Sequence, residues 1–196
     1  DLIKLFCKYC EAVQMARGII IFGSAGSGKT TLGNIVANRL HYPYFDIDDY
    51  IWKKDTEIPF TVMYSREEKA HRLMSDICKF EHFVMAGSMD SFNAPFVPLF
   101  DLAVHITADV NVRLARIHKR ELDLYGKRIL EGGDMYEEHQ AFLESAARYD
   151  TNDSPGLKTH LDWASTLPCR VMYLDGSEEL EQNAKRIVEA YVNVLE

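Results

Sequence analysis

Apolar and polar positions alternate along the chain in blocks whose spacing predicts strands and helices in turn. A short isoleucine-rich run spans residues 18–22, and its unbroken apolar character is typical of a strand buried on both faces. Apolar residues then recur every three or four positions from Leu32 to Leu40, which predicts a helix. Because the alternation continues, the pattern predicts an α/β fold, in which crossover helices cover a parallel sheet.

The remaining elements follow from the same pattern. Further strands are predicted at 43–46, 83–86, 102–106 and 171–174. Further helices are predicted near 65–80, from 110 onward, at 134–149 and at the C-terminal end. The predicted inward faces of two of these helices are Val110, Leu114 and Ile117, and Leu180, Ala184, Ile187, Val188, Tyr191 and Val192.

Length and composition indicate a single body. The chain has 196 residues, of which 47% are hydrophobic, and no repeat or linker divides it. We therefore expect one domain at 18–196, preceded by an N-terminal extension at 1–17. Apolar positions at near-helical spacing in 1–14 predict an added helix there, and Met15 is a natural start for the domain itself.

The net charge and the length of the apolar runs limit which kinds of partner the protein binds. The net charge of -8 disfavours a general nucleic-acid binder, which needs clustered Lys and Arg. No apolar run has the length of a transmembrane helix, and no cleavable signal peptide is visible. We expect a cytoplasmic protein, a monomer or weak dimer, that does not bind membranes.

The four cysteines do not suggest a metal site. Cys7 and Cys10 form a C-x-x-C, whereas Cys78 and Cys169 are distant singles. A structural zinc site needs a second pair of ligands, so we expect inert thiols.

One motif carries specific chemistry. Residues 23–30 fit G-x-x-x-x-G-K-[ST] and stand directly between a predicted strand and a predicted helix. Glycines let the backbone curl around phosphate oxygens, and the helix N-terminus adds partial positive charge. The predicted nucleotide site consists of Gly23, Ser24, Ala25, Gly26, Ser27, Gly28, Lys29, Thr30 and Thr31, with Lys29 at the terminal phosphates and Thr30 at Mg²⁺.

Acidic residues follow the second predicted strand. Asp46, Asp48 and Asp49 stand at its carboxyl end, where open α/β sheets form ligand crevices. Asp46 and Asp48 are candidates to accept a hydroxyl proton or to hold Mg²⁺ through water. The alternative is that they form a turn, which Asp favours.

A basic segment lies within this acidic chain. Residues 111–128 contain six Lys or Arg and two acids, a local charge of +4, whereas 129–153 contain seven acids and one Arg. Arg113, Arg116 and Arg120 recur at helical spacing and can form one row opposite the apolar face. Such a row either neutralises a transferring phosphoryl group or is a solvated surface, and Arg113 fits either case.

Together these motifs resemble the P-loop kinases of small molecules and nucleoside monophosphates, the group of adenylate, shikimate and gluconate kinases. The resemblance rests on the phosphate loop, Tyr44–Asp49, Asp109–Arg120 and Leu174–Ser177. It implies a five-stranded parallel sheet with helices on both faces, a helical lid at about 120–153, and ATP and Mg²⁺ as cofactors.

The resemblance also implies roles for single residues. Arg116 and Gly176 would lie at the nucleotide, Arg120 at its phosphates, and Arg128 in the lid. Asp46, Asp48, Arg66 and Gly87 would contact the acceptor, and Asp48 with Thr30 would hold Mg²⁺. Arg66 matches the substrate arginine of shikimate kinases only loosely, and Ala86-Gly87-Ser88 stands where those kinases have a run of glycines. The identity of the acceptor therefore stays open.

Three functions fit these observations. The first is a kinase that transfers the γ-phosphoryl of ATP to a small acceptor or nucleotide. The second is a nucleotide-hydrolysing switch, which is disfavoured because 83–87 carries no Asp for a Walker-B site. The third is an RNA-end kinase, which the acidic charge disfavours.

Overall fold

Five parallel strands form the central sheet of the computed structural model, which describes residues 16–89, 91–151 and 156–195. The strands are β1 (Arg17–Gly23), β2 (Tyr44–Asp46), β3 (His82–Ala86), β4 (Phe100–Thr107) and β5 (Arg170–Asp175). Their spatial order is β2-β3-β1-β4-β5, with every neighbouring pair parallel. The predicted α/β class and all five strand positions are confirmed.

Seven α-helices surround the sheet within the described residues. They are α1 (Lys29–Leu40), α2 (Asp48–Ile51), α3 (Arg66–Ile77), α4 (Val110–Tyr125), α5 (Tyr136–Ala147), α6 (Leu157–Thr166) and α7 (Leu180–Leu195). The short α2 and α6 were not predicted, because four and ten residues carry little periodicity. The predicted N-terminal helix and the Cys7–Cys10 motif lie outside the described residues. Among the described helices, none is long and apolar enough to cross a membrane.

The three central strands β1, β3 and β4 are buried on both faces, as the isoleucine run in β1 predicted. Ile19 and Ile21 face the core formed with α1 and α7, where Leu32 and Ile187 are fully buried. Ile20 faces the opposite core, which contains Leu73 from α3 and other residues from α3 and α6. Because helices cover both faces of the sheet, a site can form in the loops at the carboxyl ends of the strands.

Two inward faces differ from the predicted ones. Val192 in α7 is exposed, whereas the neighbouring Tyr191 is fully buried. In α4 the buried residues are Arg113, Ile117 and Glu121, and the predicted Val110 and Leu114 are only half-buried. The helix is thus rotated relative to the prediction, since its packing partner α5 accepts polar side chains.

Candidate active site

The phosphate loop follows β1 and adopts a conformation that requires glycine. Gly23, Gly26 and Gly28 have φ angles of 139°, 76° and 99°, a region that residues with a Cβ rarely adopt. A Cβ on Gly23 would also overlap the carbonyl oxygen of Ile106, and a Cβ on Gly26 would lie 2.5 Å from that of Arg113. Because α1 begins at once after Gly28, its positive dipole end faces the loop.

Short hydrogen bonds hold the loop together. The Lys29 Nζ donates to the carbonyl oxygens of Gly23 at 3.1 Å and Ser24 at 2.7 Å. The Ser27 hydroxyl donates to the same Ser24 oxygen at 2.8 Å. The ammonium of Lys29 is therefore positioned by the turn that an anion would enter.

Charges from three elements influence one another at this point. Burial lowers the pKa of Lys29 to about 8, the charges of Arg120 and Arg113 act in the same direction, and Asp48 and Asp46 oppose the shift. Burial raises the pKa of the Asp48 carboxyl, and Asp46 adds to the rise, while Lys29 and Arg120 oppose it. Asp48 is nevertheless open to solvent on one side. The structure thus brings together Lys29, Asp48 and Arg120, all three predicted from sequence.

Asp46 connects the loop to the end of β2. Its Oδ2 accepts hydrogen bonds from the Thr30 hydroxyl and the Tyr44 hydroxyl, each at 3.3 Å. Its Oδ1 accepts from the Asp48 backbone N–H at 3.1 Å, which is the turn predicted as the alternative. Burial, with added repulsion from Asp46, raises the pKa of Tyr44. Asp46 therefore forms the turn and faces the phosphate loop as well.

The oxygens gathered here suit a magnesium ion. Thr30 contributes a hydroxyl, and Asp46 and Asp48 contribute carboxylates, the hard ligands that Mg²⁺ prefers. Within the described residues no group of three or more His, Cys, Asp or Glu is arranged to hold a metal. Few protein ligands are what Mg²⁺ needs when phosphates and water complete its shell.

The loop after β5 packs directly on the phosphate loop. A Cβ on Gly176 would overlap the carbonyl oxygen of Ser27, so only glycine allows this approach. Gly176 N–H donates to Thr107 O at 2.6 Å, and the Thr107 hydroxyl bonds that of Ser24 at 2.8 Å. Arg116 donates to Gly176 O at 3.0 Å. The predicted Arg116 and Gly176 are therefore neighbours beside the phosphate loop.

Arg113 does not belong to the predicted row of exposed arginines. It is fully buried, and its guanidinium donates to the carbonyl oxygens of Ala108 at 2.8 Å and Ala146 at 2.9 Å. It also pairs with Asp150 and lies 5.3 Å from the centre of the Tyr149 ring. The surface interpretation of Arg113 is wrong, because the guanidinium is buried and finds its partners in Ala108, Ala146 and Asp150.

Arg120 and Arg128, which were both predicted to act from a lid, differ in their partners. Arg120 is largely exposed and makes a 3.4 Å contact with Glu121, so its guanidinium is accessible at the crevice. Arg128 forms a two-pronged pair with Asp134, with its Nη2 2.7 Å from the carboxylate. The structure therefore brings Arg120, but not Arg128, to the charges around Lys29.

Gly87 and Arg66 occupy different surroundings. Gly87 has a φ of 134°, and a Cβ on it would lie 2.7 Å from the Cβ of Ile47. It thus supports the turn that carries Asp46 and Asp48. Arg66 is an exposed first residue of α3, whose start is capped by Ser65. No described contact places Arg66 in the crevice.

A cavity of about 240 Å³ lies beside Asp48 and Asp49. Sequence reasoning did not find it, although Trp52, one of two tryptophans in the chain, stands four residues after Asp48. The cavity is lined by Asp48, Asp49, Trp52, Lys53, Lys54, Thr56, Pro59, Phe60 and Tyr125. Its position makes it the candidate acceptor site.

A series of hydrogen-bonded polar side chains, most of them buried, lies next to Gly87. The Tyr149 hydroxyl bonds His160 Nδ1 at 2.8 Å and His105 Nε2 at 3.0 Å, and His160 Nε2 bonds Ser88 at 3.2 Å. Burial lowers the pKa of His105 to about 4. These side chains connect the residue after Gly87 to the end of α5, a link that sequence reasoning also missed.

His139 connects α4 and α5. It is buried, and its Nδ1 lies 2.6 Å from Glu121 and its Nε2 2.9 Å from His118. These contacts are structural.

The family of the chain follows from its sequence over the same region. Residues 19–141 match the family described as the AAA domain. The chain belongs to this family. The match contains the phosphate loop, Asp46 and Asp48, all of α4 and the first half of α5.

Two relatives extend the comparison. The Uncharacterized protein YqaC of Bacillus subtilis (strain 168) is 29% identical over 184 residues, covering 89% of this chain and 97% of YqaC. A shikimate kinase of the same strain is 26% identical over 148 residues, covering 70% and 78%. The resemblance to P-loop small-molecule kinases is therefore confirmed for this AAA domain protein.

Solved structures share the fold. A shikimate kinase from Bacteroides thetaiotaomicron has a TM-score of 0.54 at 19% identity, covering 89% of this chain and 97% of that one. A gluconokinase from Sinorhizobium meliloti 1021 has a TM-score of 0.53 at 15% identity, covering 92% and 94%. A deoxyadenosine kinase from M. mycoides has a TM-score of 0.51 at 14% identity, covering 88% and 98%. The AAA domain of this chain thus has the kinase-like P-loop fold.

Proposed function

We propose that the chain is an ATP-dependent phosphotransferase that moves the γ-phosphoryl of ATP to a small hydroxyl- or phosphate-bearing acceptor. One observation carries this proposal: the phosphate loop that holds Lys29 lies directly against the acids after β2, since the Thr30 hydroxyl donates to Asp46 at 3.3 Å and the Asp48 N–H donates to the same carboxylate at 3.1 Å. A cation for phosphates, a carboxylate beside a cavity and an exposed arginine near both are the parts that phosphoryl transfer uses.

On the nucleotide side, the backbone from Gly23 to Thr31 receives the phosphates, and the Lys29 ammonium lies at the terminal ones. Arg116 and Gly176 border the place of the base. Mg²⁺, held by Thr30 with Asp48, would neutralise charge on the phosphate oxygens. The Thr30–Asp46 bond keeps this hydroxyl oriented toward the acid pair.

On the acceptor side, Asp48 acts as the general base. Its raised pKa makes it a better proton acceptor than an ordinary carboxylate. It removes the proton of the acceptor hydroxyl, whose oxygen bonds to the γ-phosphorus as the bond to the bridging oxygen breaks and ADP leaves. Asp46 positions this base through the bond that it accepts from the Asp48 N–H.

The region from about 120 to 153 is the proposed lid of a single domain at 18–196. Arg120 would neutralise the transferring group, and Arg128 would join it only after leaving Asp134. We also propose that the protein acts in the cytoplasm as a monomer or weak dimer.

The deciding experiment incubates the protein with γ-labelled ATP and a panel of hydroxy acids, sugars, nucleosides and nucleotides, then separates the products. A labelled product that requires one acceptor is the expected result, and Lys29→Ala should abolish it. The names of the relatives, shikimate kinase, gluconokinase and deoxyadenosine kinase, define the first compounds to include. Release of inorganic phosphate that no acceptor changes would instead identify a hydrolysing switch.

A further inference from the structure

Aromatic rings from two separate parts of the chain form walls of the cavity beside Asp48. Trp52 and Phe60 come from the segment after α2, and their rings pack edge to face with centroids 5.9 Å apart. Tyr125 is the last residue of α4 and belongs to the proposed lid. A compound in this cavity would therefore contact rings on the body and on the lid.

The rim of this cavity exposes apolar surface that the fold does not bury. Phe60 is 52% exposed and has a φ of 62°, a conformation uncommon for any residue with a Cβ. Trp52 and Tyr125, which also line the cavity, are only half-buried. Exposed apolar surface concentrated around a cavity is typical of a ligand site.

Apart from Asp48, the charged side chains that line the cavity have partners within the fold. Asp49 and Lys54 form an ion pair at 2.8 Å, and Lys53 lies over the ring of Tyr64 at 5.6 Å. No arginine is among the described residues that line it. Arg72 stacks instead on Tyr64, 4.4 Å from its centre. The cavity therefore lacks the guanidinium fork that recognises carboxylates and phosphates.

We infer that the acceptor is an uncharged hydroxyl compound with a planar aromatic or heteroaromatic ring, a statement that rests on the proposed kinase function. The ring lies between Trp52, Phe60 and Tyr125, because flat π faces pack well against aromatic side chains. The hydroxyl reaches Asp48, which removes its proton during the transfer described above. Nucleosides and aromatic alcohols without a sugar share this chemistry, whereas sugar acids do not.

Binding and transfer are measured separately on the full chain with a non-hydrolysable ATP analogue and with ATP. The probes are adenosine and uridine, pyridoxine and benzyl alcohol, and shikimate and gluconate. Calorimetry on the unchanged protein reports binding of each probe. Trp52 fluorescence in a Trp163→Phe background reports contact with the ring, since Trp163 is the other tryptophan and packs on Phe22.

Matched variants locate the ring. Phe60→Ala should weaken binding of the ring compound at least about fivefold, and Phe60→Tyr should restore it. Phe80→Ala changes another exposed phenylalanine, which comes two residues before β3 and does not line the cavity, and should leave binding unchanged.

The outcomes separate the two proposals. Binding and phosphorylation of nucleosides supports the inference with a nucleoside source, and the same result with pyridoxine or benzyl alcohol supports it with a sugar-free source. Ring binding that depends on Phe60 without any transfer keeps the ring site and overturns the kinase function. Phosphorylation of shikimate or gluconate without ring binding keeps the kinase and overturns the inference, as does equal affinity in Phe60→Ala and Phe80→Ala.

Discussion

The two halves of the crevice are built differently. In the nucleotide half, the phosphate loop is tied to the ends of β4 and β5 through the Ser24–Thr107 and Gly176–Thr107 hydrogen bonds. In the acceptor half, exposed side chains from two segments face each other across a cavity, and a Cβ on Gly126 or Gly132 would meet nothing within 4 Å. The comparison teaches that one half is preorganised for an anion, whereas the other has space to change shape around its ligand.

The largest expected effect comes from the preorganised half. Lys29→Ala should lower turnover by about a thousandfold and weaken ATP binding while the fold stays intact, because Nζ acts on phosphate and not on a core. Thr30→Ala should act in the same direction. Calorimetry with an ATP analogue, turnover and circular dichroism test this, with Lys185→Ala, an exposed pair partner of Glu189, as the control. Normal affinity and turnover in Lys29→Ala would remove the phosphate loop from the mechanism.

The acid pair should separate transfer from nucleotide binding. Asp48→Asn should lower turnover by roughly a hundredfold or more, since the amide cannot accept the proton, and should lower ATP affinity far less. Asp46→Asn should lower both, because it also loses its bond from Thr30. Asp123→Asn, whose carboxylate pairs with Lys119 on the surface, is the control. If Asp48→Asn keeps near-normal transfer, the two acids only form a turn.

Substitution of two arginines in α4 should have different effects, one on stability and the other on turnover. Arg113→Leu should lower the free energy of unfolding by about 2 to 4 kcal/mol, because the carbonyl groups of Ala108 and Ala146 lose their donor. Arg120→Leu should leave that free energy nearly unchanged and lower turnover. Urea unfolding and kinetics on both variants decide this. Equal stability of the two variants would contradict the assignment of Arg113 as structural.

Nucleotide affinity should fall as pH rises through about 8. Burial lowers the pKa of Lys29 to about 8, so its ammonium is charged below that value and neutral above it. The stability of the nucleotide-free protein should change in the opposite direction. Between a pH of about 8 and the ordinary lysine pKa of 10.5, Lys29 binds more protons in the unfolded chain than in the folded one. This residue therefore makes the free energy of unfolding rise with pH in that range. Titrations of ATP analogue across this range test the affinity, and Lys29→Arg should flatten the curve because guanidinium stays charged.

The smallest effect should appear in the lid. Amide hydrogen exchange in 120–153 should slow when an ATP analogue and acceptor are both present, because closure brings Arg120 onto the phosphates and excludes water. Asp134→Asn should ease this closure, since it frees Arg128 from its pair. The strands of the sheet serve as an internal reference. Equal protection with and without ligands would mean that this segment is fixed architecture.

Local patterns predicted the parts of the molecule whose chemistry is local. The isoleucine run predicted a doubly buried strand, and residues 23–30 predicted a phosphate loop, because their glycines and lysine act within one turn of chain. Asp46 and Asp48 were predicted from their position directly after a strand, because ligand crevices in open α/β sheets form at the carboxyl ends of the strands.

Tertiary structure decided what each face meets. Helical spacing placed Arg113 in a row with Arg116 and Arg120, yet Arg113 is buried because Ala146 at the end of α5 and Asp150 in the turn after it satisfy its charge. Likewise, Trp52 and Tyr125 are far apart in sequence and share a cavity only after folding. Periodicity states which residues lie on one side of a helix. Whether a polar side chain there is buried depends on partners that only the folded chain brings within hydrogen-bonding distance.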